Sequence, residues 1–92
     1  MQVDWDDTKA AVNRAKHGVS FDEAETVFLD ALARIGGDPD HSVGEQRYII
    51  WGHSALHRLL LVSFSERGDT IRIISARRAK REERQRYEEN NP

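Results

Sequence analysis

Arg72, Arg77, Arg78, Lys80 and Arg81 fall within ten residues of a chain whose net charge is only −2. The stretch Arg72-Ile73-Ile74-Ser75-Ala76 alternates as a strand does and runs straight into a charged helix. Cations concentrated at one strand-to-helix junction of an acidic chain read as an anion site, and a polyphosphate backbone suits it best. Arginine fits that task through its planar fork of donors and its permanent charge. Regular alternation predicts Ile71, Ile73 and Ser75 on one side of the strand, with Arg72, Ile74 and Ala76 on the other. If the strand continues, Arg78 joins Arg72 and Arg77 lies opposite. Glu66-Arg67 precedes the turn before this strand. A carboxylate beside arginines has the chemistry of a general base or of a group that orients an arginine. The plainer reading is an ion pair, with Arg72 and Glu66 joined across the hairpin.

The other chemical groups carry weaker signals. His53 and His57 stand four apart but span a strand end and a turn, not a helix, so no metal site is expected. His17, just ahead of Gly18, reads as a helix-end residue, and His41 as a loop residue. Tyr87, late in the last helix, is expected to pack that helix on the sheet, its hydroxyl reaching the basic cluster as the second reading. Trp5 and Trp51 read as core or edge aromatics, with stacking on a base as the alternative. A Gly-rich phosphate loop, a nucleophile elbow and a Ser–His–Asp pattern are all absent from the sequence, and no cofactor is expected.

These groups need a scaffold, and the pattern predicts one. Val3–Trp5 reads as an edge strand. Asp6 caps a helix over residues 7–16 that Gly18 ends. Ser20-Phe21-Asp22-Glu23 is a capping box opening a second helix to about Leu29. Leu32–Ile35 is a short strand, and residues 36–42 are a loop by composition. Gln46–His53, Leu59–Ser65 and Thr70–Ala76 read as three strands of an antiparallel meander, with a tight turn at Arg67-Gly68-Asp69. Residues 80–89 form a charged helix. The expected class is α+β: two N-terminal helices packed on an antiparallel meander, closed by a charged C-terminal helix.

Ninety-two residues make one domain, taken as residues 1–92, with a small core. The chain has no cysteine, so disulfides and thiolate zinc sites are excluded. No apolar run approaches membrane-spanning length and no signal-peptide pattern opens the chain, so the expected location is cytoplasmic, away from membranes. Residues 1–45 carry ten acidic and four basic side chains, and residues 46–92 carry six and ten. That asymmetry predicts an acidic face and a basic face, one for a basic partner and one for nucleic acid.

Several strings occur in a fixed order along the chain: Trp5-Asp6 with Lys9 and Asn13, Lys16-His17-Gly18-Val19-Ser20-Phe21, Ala24 with Val27-Phe28, and Asp38-Pro39-Asp40-His41-Ser42 with Glu45 and Arg47. Gly52 and Ser54 follow, then Glu66-Arg67-Gly68, Arg72-Ile73-Ile74-Ser75-Ala76-Arg77-Arg78-Ala79, and Glu83, Arg84 and Tyr87. In this order they resemble the BrnT toxin family of bacterial type II toxin–antitoxin systems, over nearly the whole chain. The resemblance implies a RelE-like ribonuclease fold and RNA cleavage that shuts down translation. It implies a BrnA-like antitoxin with a ribbon-helix-helix part, with operator DNA reached only through the complex. It carries over Glu66, Arg67, Arg72, Arg77 and Arg78 as catalytic residues, with Arg47 and Tyr87 as supports; Lys80 and Arg81, from the basic junction itself, join Arg47 and Tyr87 as RNA-binding candidates. The chain departs at Phe64, where relatives carry His or Tyr.

The activity expected is that of a metal-independent endoribonuclease, in which an RNA 2′-hydroxyl attacks the adjacent phosphate and arginines stabilise the charge that builds there. Glu66 is expected to take the 2′-proton or to orient an arginine. The leaving-group acid is open among His53, His41, Tyr87 and an arginine-bound water. A second reading is a non-catalytic module whose basic junction docks RNA or an acidic partner, and a third is a protein that obstructs the ribosome.

Overall fold

The computed structural model describes residues 1–38 and 46–90, so His41 and Glu45 lie outside the described residues. The elements run β1 (Gln2–Trp5), α1 (Asp7–His17), α2 (Phe21–Thr26, prolonged by a 3-10 turn, Val27–Leu29), β2 (Arg34–Gly37), β3 (Arg47–His53), β4 (Leu59–Arg67), β5 (Thr70–Arg78) and α3 (Arg81–Asn90). The α+β class is as expected, and β2 lies two residues later than the pattern placed it.

Local chemistry explains the helix ends. The Asp6 carboxylate accepts from the Thr8 N–H, and Gly18 closes α1 at φ 69°, its N–H donating to the Arg14 carbonyl. Only glycine holds that left-handed conformation cheaply. The Ser20 hydroxyl accepts from the Glu23 N–H at 3.0 Å. Glu23 goes elsewhere: its carboxylate accepts from Ser54 Oγ at 2.7 Å and from Arg58 Nε at 2.9 Å. The Arg58 hydrogen bond, against the cost of burial, holds the Glu23 carboxyl below the usual carboxylate range. The expected capping box thus becomes an ion pair tying the start of α2 to the β3–β4 turn.

The sheet has the order β1-β5-β4-β3-β2. Strands β2 to β5 form the antiparallel meander, but β1 lies parallel to β5. The sheet is therefore mixed, not wholly antiparallel. The parallel pair is possible because the intervening helices and strands supply a long connection, which parallel neighbours require.

One face carries the core. Val19, Phe21, Ala24 and Val27 from the helical layer pack on Ile50, Leu60, Val62, Phe64, Ile73 and Ala76. Phe64 meets Phe28 edge-on at 5.1 Å and stacks on Tyr48 at 5.5 Å. Gly52 lets the helical layer approach, because a Cβ there would stand 2.8 Å from that of Ala33. On the opposite face α3 docks through Tyr87, 3% exposed, whose ring lies 5.4 Å from Trp51 and 5.6 Å from His53. The Tyr87 hydroxyl donates to the Leu32 carbonyl at 3.0 Å.

A buried asparagine finishes the sheet where β1 stops. Strand β1 pairs with β5 only as far as Ile73. Beyond it, the Asn13 amide accepts from the Ala76 N–H (3.0 Å) and donates to the Ala76 carbonyl (2.8 Å) and the Val19 carbonyl (3.0 Å). The side chain supplies the ladder bonds that a longer β1 would have made, so these groups are not buried unpaired.

Candidate functional site: the arginine-lined face of the sheet

The register of β4 and β5 shifts between Ser63 and Phe64: Ser63 pairs with Ser75, and Phe64 pairs with Ile73. Ile74 is the extra residue, a β-bulge that resets side-chain alternation. Arg72, Ser75 and Arg77 consequently share one face, while Ile71, Ile73, Ala76 and Arg78 share the helix-covered face. This reverses the parity expected of an uninterrupted strand. Arg78 lies across from Leu60, and its positive charge helps hold the Glu23 carboxyl low.

The face opposite the core is built in rows across the strands. The outermost holds Arg67 beside Thr70, both near the β4–β5 turn. The next runs Arg47, Ser65, Arg72 and Asp4 over β3, β4, β5 and β1. The third is Ile49, Ser63 and Ser75, and the fourth Trp51, Leu61 and Arg77. Cross-strand neighbours in such rows stand about 5 Å apart at Cβ. The second row thus sets Arg47 and Arg72 on either side of Ser65. Arg72 Nη1 donates to Asp4 Oδ1 at 3.2 Å. The ion pair expected between Arg72 and Glu66 is not formed, because Glu66 stands across from Ile71 on the helix side. Ser65 is wholly buried, and its Oγ has no hydrogen-bond partner among the described residues. Beside this row lies a cleft of about 170 Å³ lined by Asp38, Arg47, Ser63, Ile74 and Ser75.

The other end of the face is closed. Arg77 forms a two-point pair with Glu83 of α3, Nη1 to Oε1 and Nη2 to Oε2, each 2.8 Å. The Glu83 carboxylate also accepts from the Lys80 N–H at 2.8 Å. The Arg77 guanidinium, with help from that N–H, pushes the Glu83 carboxyl down to about 2, and Arg77 is raised in return. Lys80 and Arg81 are exposed at the junction leading into α3.

The three arginines of the junction therefore do not converge. Arg72 faces Asp4, Arg77 is held by Glu83, and Arg78 points to the other side of the sheet. Tyr87 is buried in the α3 interface, so its ring is inaccessible and its hydroxyl does not reach the basic cluster. His53 sits at the far end of β3 from Arg47, a run of six residues or roughly 20 Å. Phe64 is 1% exposed and faces the core, so the departure at that position does not remove a proton donor from the arginine-lined face. Sequence reasoning passed over Ser63, Ser65, Ser75, Asp38 and Asp4. The signal for two of them was present: Ser63-Phe64-Ser65 sets small polar residues in antiphase with Val62 and Phe64.

Fold and site together define a small α+β protein with α1 and α2 on one side of a mixed sheet and, on the other, α3 beside a cationic, serine-floored surface. Residues 5–83 match the family described as "Ribonuclease toxin, BrnT, of type II toxin-antitoxin system". The chain belongs to the BrnT family. It also resembles the crystal structure of the Brucella abortus ribonuclease toxin, BrnT, with 25% sequence identity and a TM-score of 0.68, covering 88% of this chain and 99% of that one. No curated protein sequence matches.

Proposed function

We propose that the chain is a metal-independent endoribonuclease, a RelE-like toxin that arrests translation by cutting RNA in the cytoplasm. In this reading a BrnA-like ribbon-helix-helix antitoxin neutralises it, and operator DNA is met only through their complex. The observation that carries the reading is the row Arg47–Ser65–Arg72 beside the cleft of Asp38, Ser63 and Ser75.

The scissile phosphate sits over that row. Arg47 and Arg72 draw its non-bridging oxygens, and the Ser65 hydroxyl, which has no partner among the described residues, gains an acceptor. The 2′-oxygen attacks phosphorus, and the bond from phosphorus to the 5′-oxygen breaks. The products are a 2′,3′-cyclic phosphate and a 5′-hydroxyl. The proton leaving the 2′-oxygen passes to a carboxylate, and a solvent water delivers a proton to the 5′-oxygen. Asp38, which lines the cleft, suits the first task better than Glu66 on the helix side. Guanidinium donors fixed in place before reaction stabilise the dianionic transition state. Arg67, one row out, and Lys80 and Arg81, at the junction, attract the strand. Arg77 acts through Glu83 as a positioning residue.

The test is cleavage of a mixed-sequence RNA in EDTA. The expected result is cyclic-phosphate ends from the wild type and a loss of about 100-fold or more in Arg47→Ala. The non-catalytic docking module stays as the second reading, favoured by the carboxylate partners of Arg72 and Arg77. Tight RNA binding without cleavage, with or without ribosomes, decides for it.

A further inference from the structure

A second and larger cleft, about 340 Å³, lies on the other side of the β5 bulge, between that bulge and α1. Thr8, Lys9, Val12, Asn13 and Lys16 line it from one stripe of the helix, with His17 at its end and Ile74 and Ser75 as the opposite wall. Positions 9, 12, 13 and 16 are the i, i+3, i+4, i+7 set that shares a helix face. Among the described residues no acidic side chain lines this cleft, although residues 1–45 carry ten acids and only four Lys/Arg. Two of those four bases, Lys9 and Lys16, stand here. Val12 is 61% exposed, an apolar floor between two ammonium groups.

Ile74 and Ser75 also line the cleft beside Arg47. The two clefts therefore meet over the bulge. An extended strand lying across Arg47 and Arg72 continues naturally along α1.

We propose that the α1 cleft is a subsite for the RNA strand flanking the cut, with Lys9, Lys16 and His17 holding its phosphates and Val12 and Ile74 meeting a ribose or base. This rests on the RNA-cleaving reading of the neighbouring cleft. A cationic rim with an apolar floor is the pattern that binds single strands with little regard to sequence. Lys9 and Lys16 lie roughly 10 Å apart along the helix axis, so one strand can engage both. An acidic peptide segment would also match the rim, but the shared wall with the arginine-lined cleft favours the strand.

The test compares wild type with Lys9→Gln/Lys16→Gln, two exposed substitutions that leave Asn13 and its bonds to Ala76 intact. Binding of a 2′-O-methyl oligonucleotide of about a dozen nucleotides is followed by anisotropy against salt. Loss of two phosphate contacts is expected to weaken binding about tenfold at low salt and to lower the salt slope by about 1.4. For cleavable RNA, KM should rise about tenfold for the long substrate, with kcat unchanged and a dinucleotide substrate unaffected. Unchanged affinity and salt slope overturn the subsite. So does a variant that binds RNA as the wild type does but escapes neutralisation by a co-expressed antitoxin, which assigns the cleft to a protein partner. A wild type that binds the oligonucleotide but cuts no RNA sinks the ribonuclease reading, while the binding comparison still reports on α1.

Discussion

The two ends of the arginine-lined face use the same side chain for opposite purposes. At the β4–β5 turn end, Arg47 and Arg72 flank a buried serine whose hydroxyl has no partner among the described residues, and the row's acid is Asp4 on an edge strand. At the α3 end, Arg77 is clasped by a carboxylate that a backbone N–H also holds, under a helix anchored by Tyr87. Arg72 meets its acid at a single contact of 3.2 Å, whereas Arg77 is held at two points, each 2.8 Å. Clustering along the sequence says little about which role a cation takes; the second half of the interaction decides.

The largest effect is expected from removing the two arginines that flank Ser65. Arg47→Ala/Arg72→Ala should cut RNA cleavage by roughly 1,000-fold while circular dichroism keeps its native form. Removing the closed pair should do the reverse. Glu83→Gln should lower unfolding free energy by about 1.5–3 kcal/mol in urea titrations, since a charge-assisted two-point bond is lost, and activity below the midpoint should fall much less. Asn13→Leu should destabilise by a similar 1–3 kcal/mol, because Ala76 loses both partners. Acid should separate the ends in the same way. The Glu83 carboxyl is lowered in the folded chain, from an ordinary value of 4.5 to about 2, so the stability it contributes is complete above about 4.5 and disappears as pH falls toward 2. Glu23 is lowered too and acts in the same direction. Melting temperature should therefore drop across that window, and Glu83→Gln should flatten the drop. The smallest effect is expected from Tyr87→Phe, which loses the bond to the Leu32 carbonyl, about 1 kcal/mol, with RNA affinity unaltered.

Much of this scaffold was legible in the chain. The caps at Asp6, Gly18 and Ser20 fixed both N-terminal helices, and alternation in residues 47–78 fixed three strands. Hidden was anything that depends on distant partners. No local pattern announces that β1 will run parallel to β5, or that Asn13 will stand in for its missing residues. The bulge at Ile74 was the costliest omission, because it exchanges the faces of Arg77 and Arg78. Family resemblance pointed to the right functional class but drew in Arg78 and Glu66, which stand on the helix-covered side of the sheet, and Tyr87, which is buried between α3 and Trp51. Asp4 gave no signal, since an isolated aspartate in a sequence looks like solvated surface.

In the proposed reading RNA meets the Arg72 face of β5 rather than the Arg78 face, and two single variants test that directly. Cleavage in EDTA should fall about 100-fold or more in Arg72→Ala and stay within about threefold of wild type in Arg78→Ala. Equal losses in the two variants, or full activity in Arg72→Ala, would contradict it.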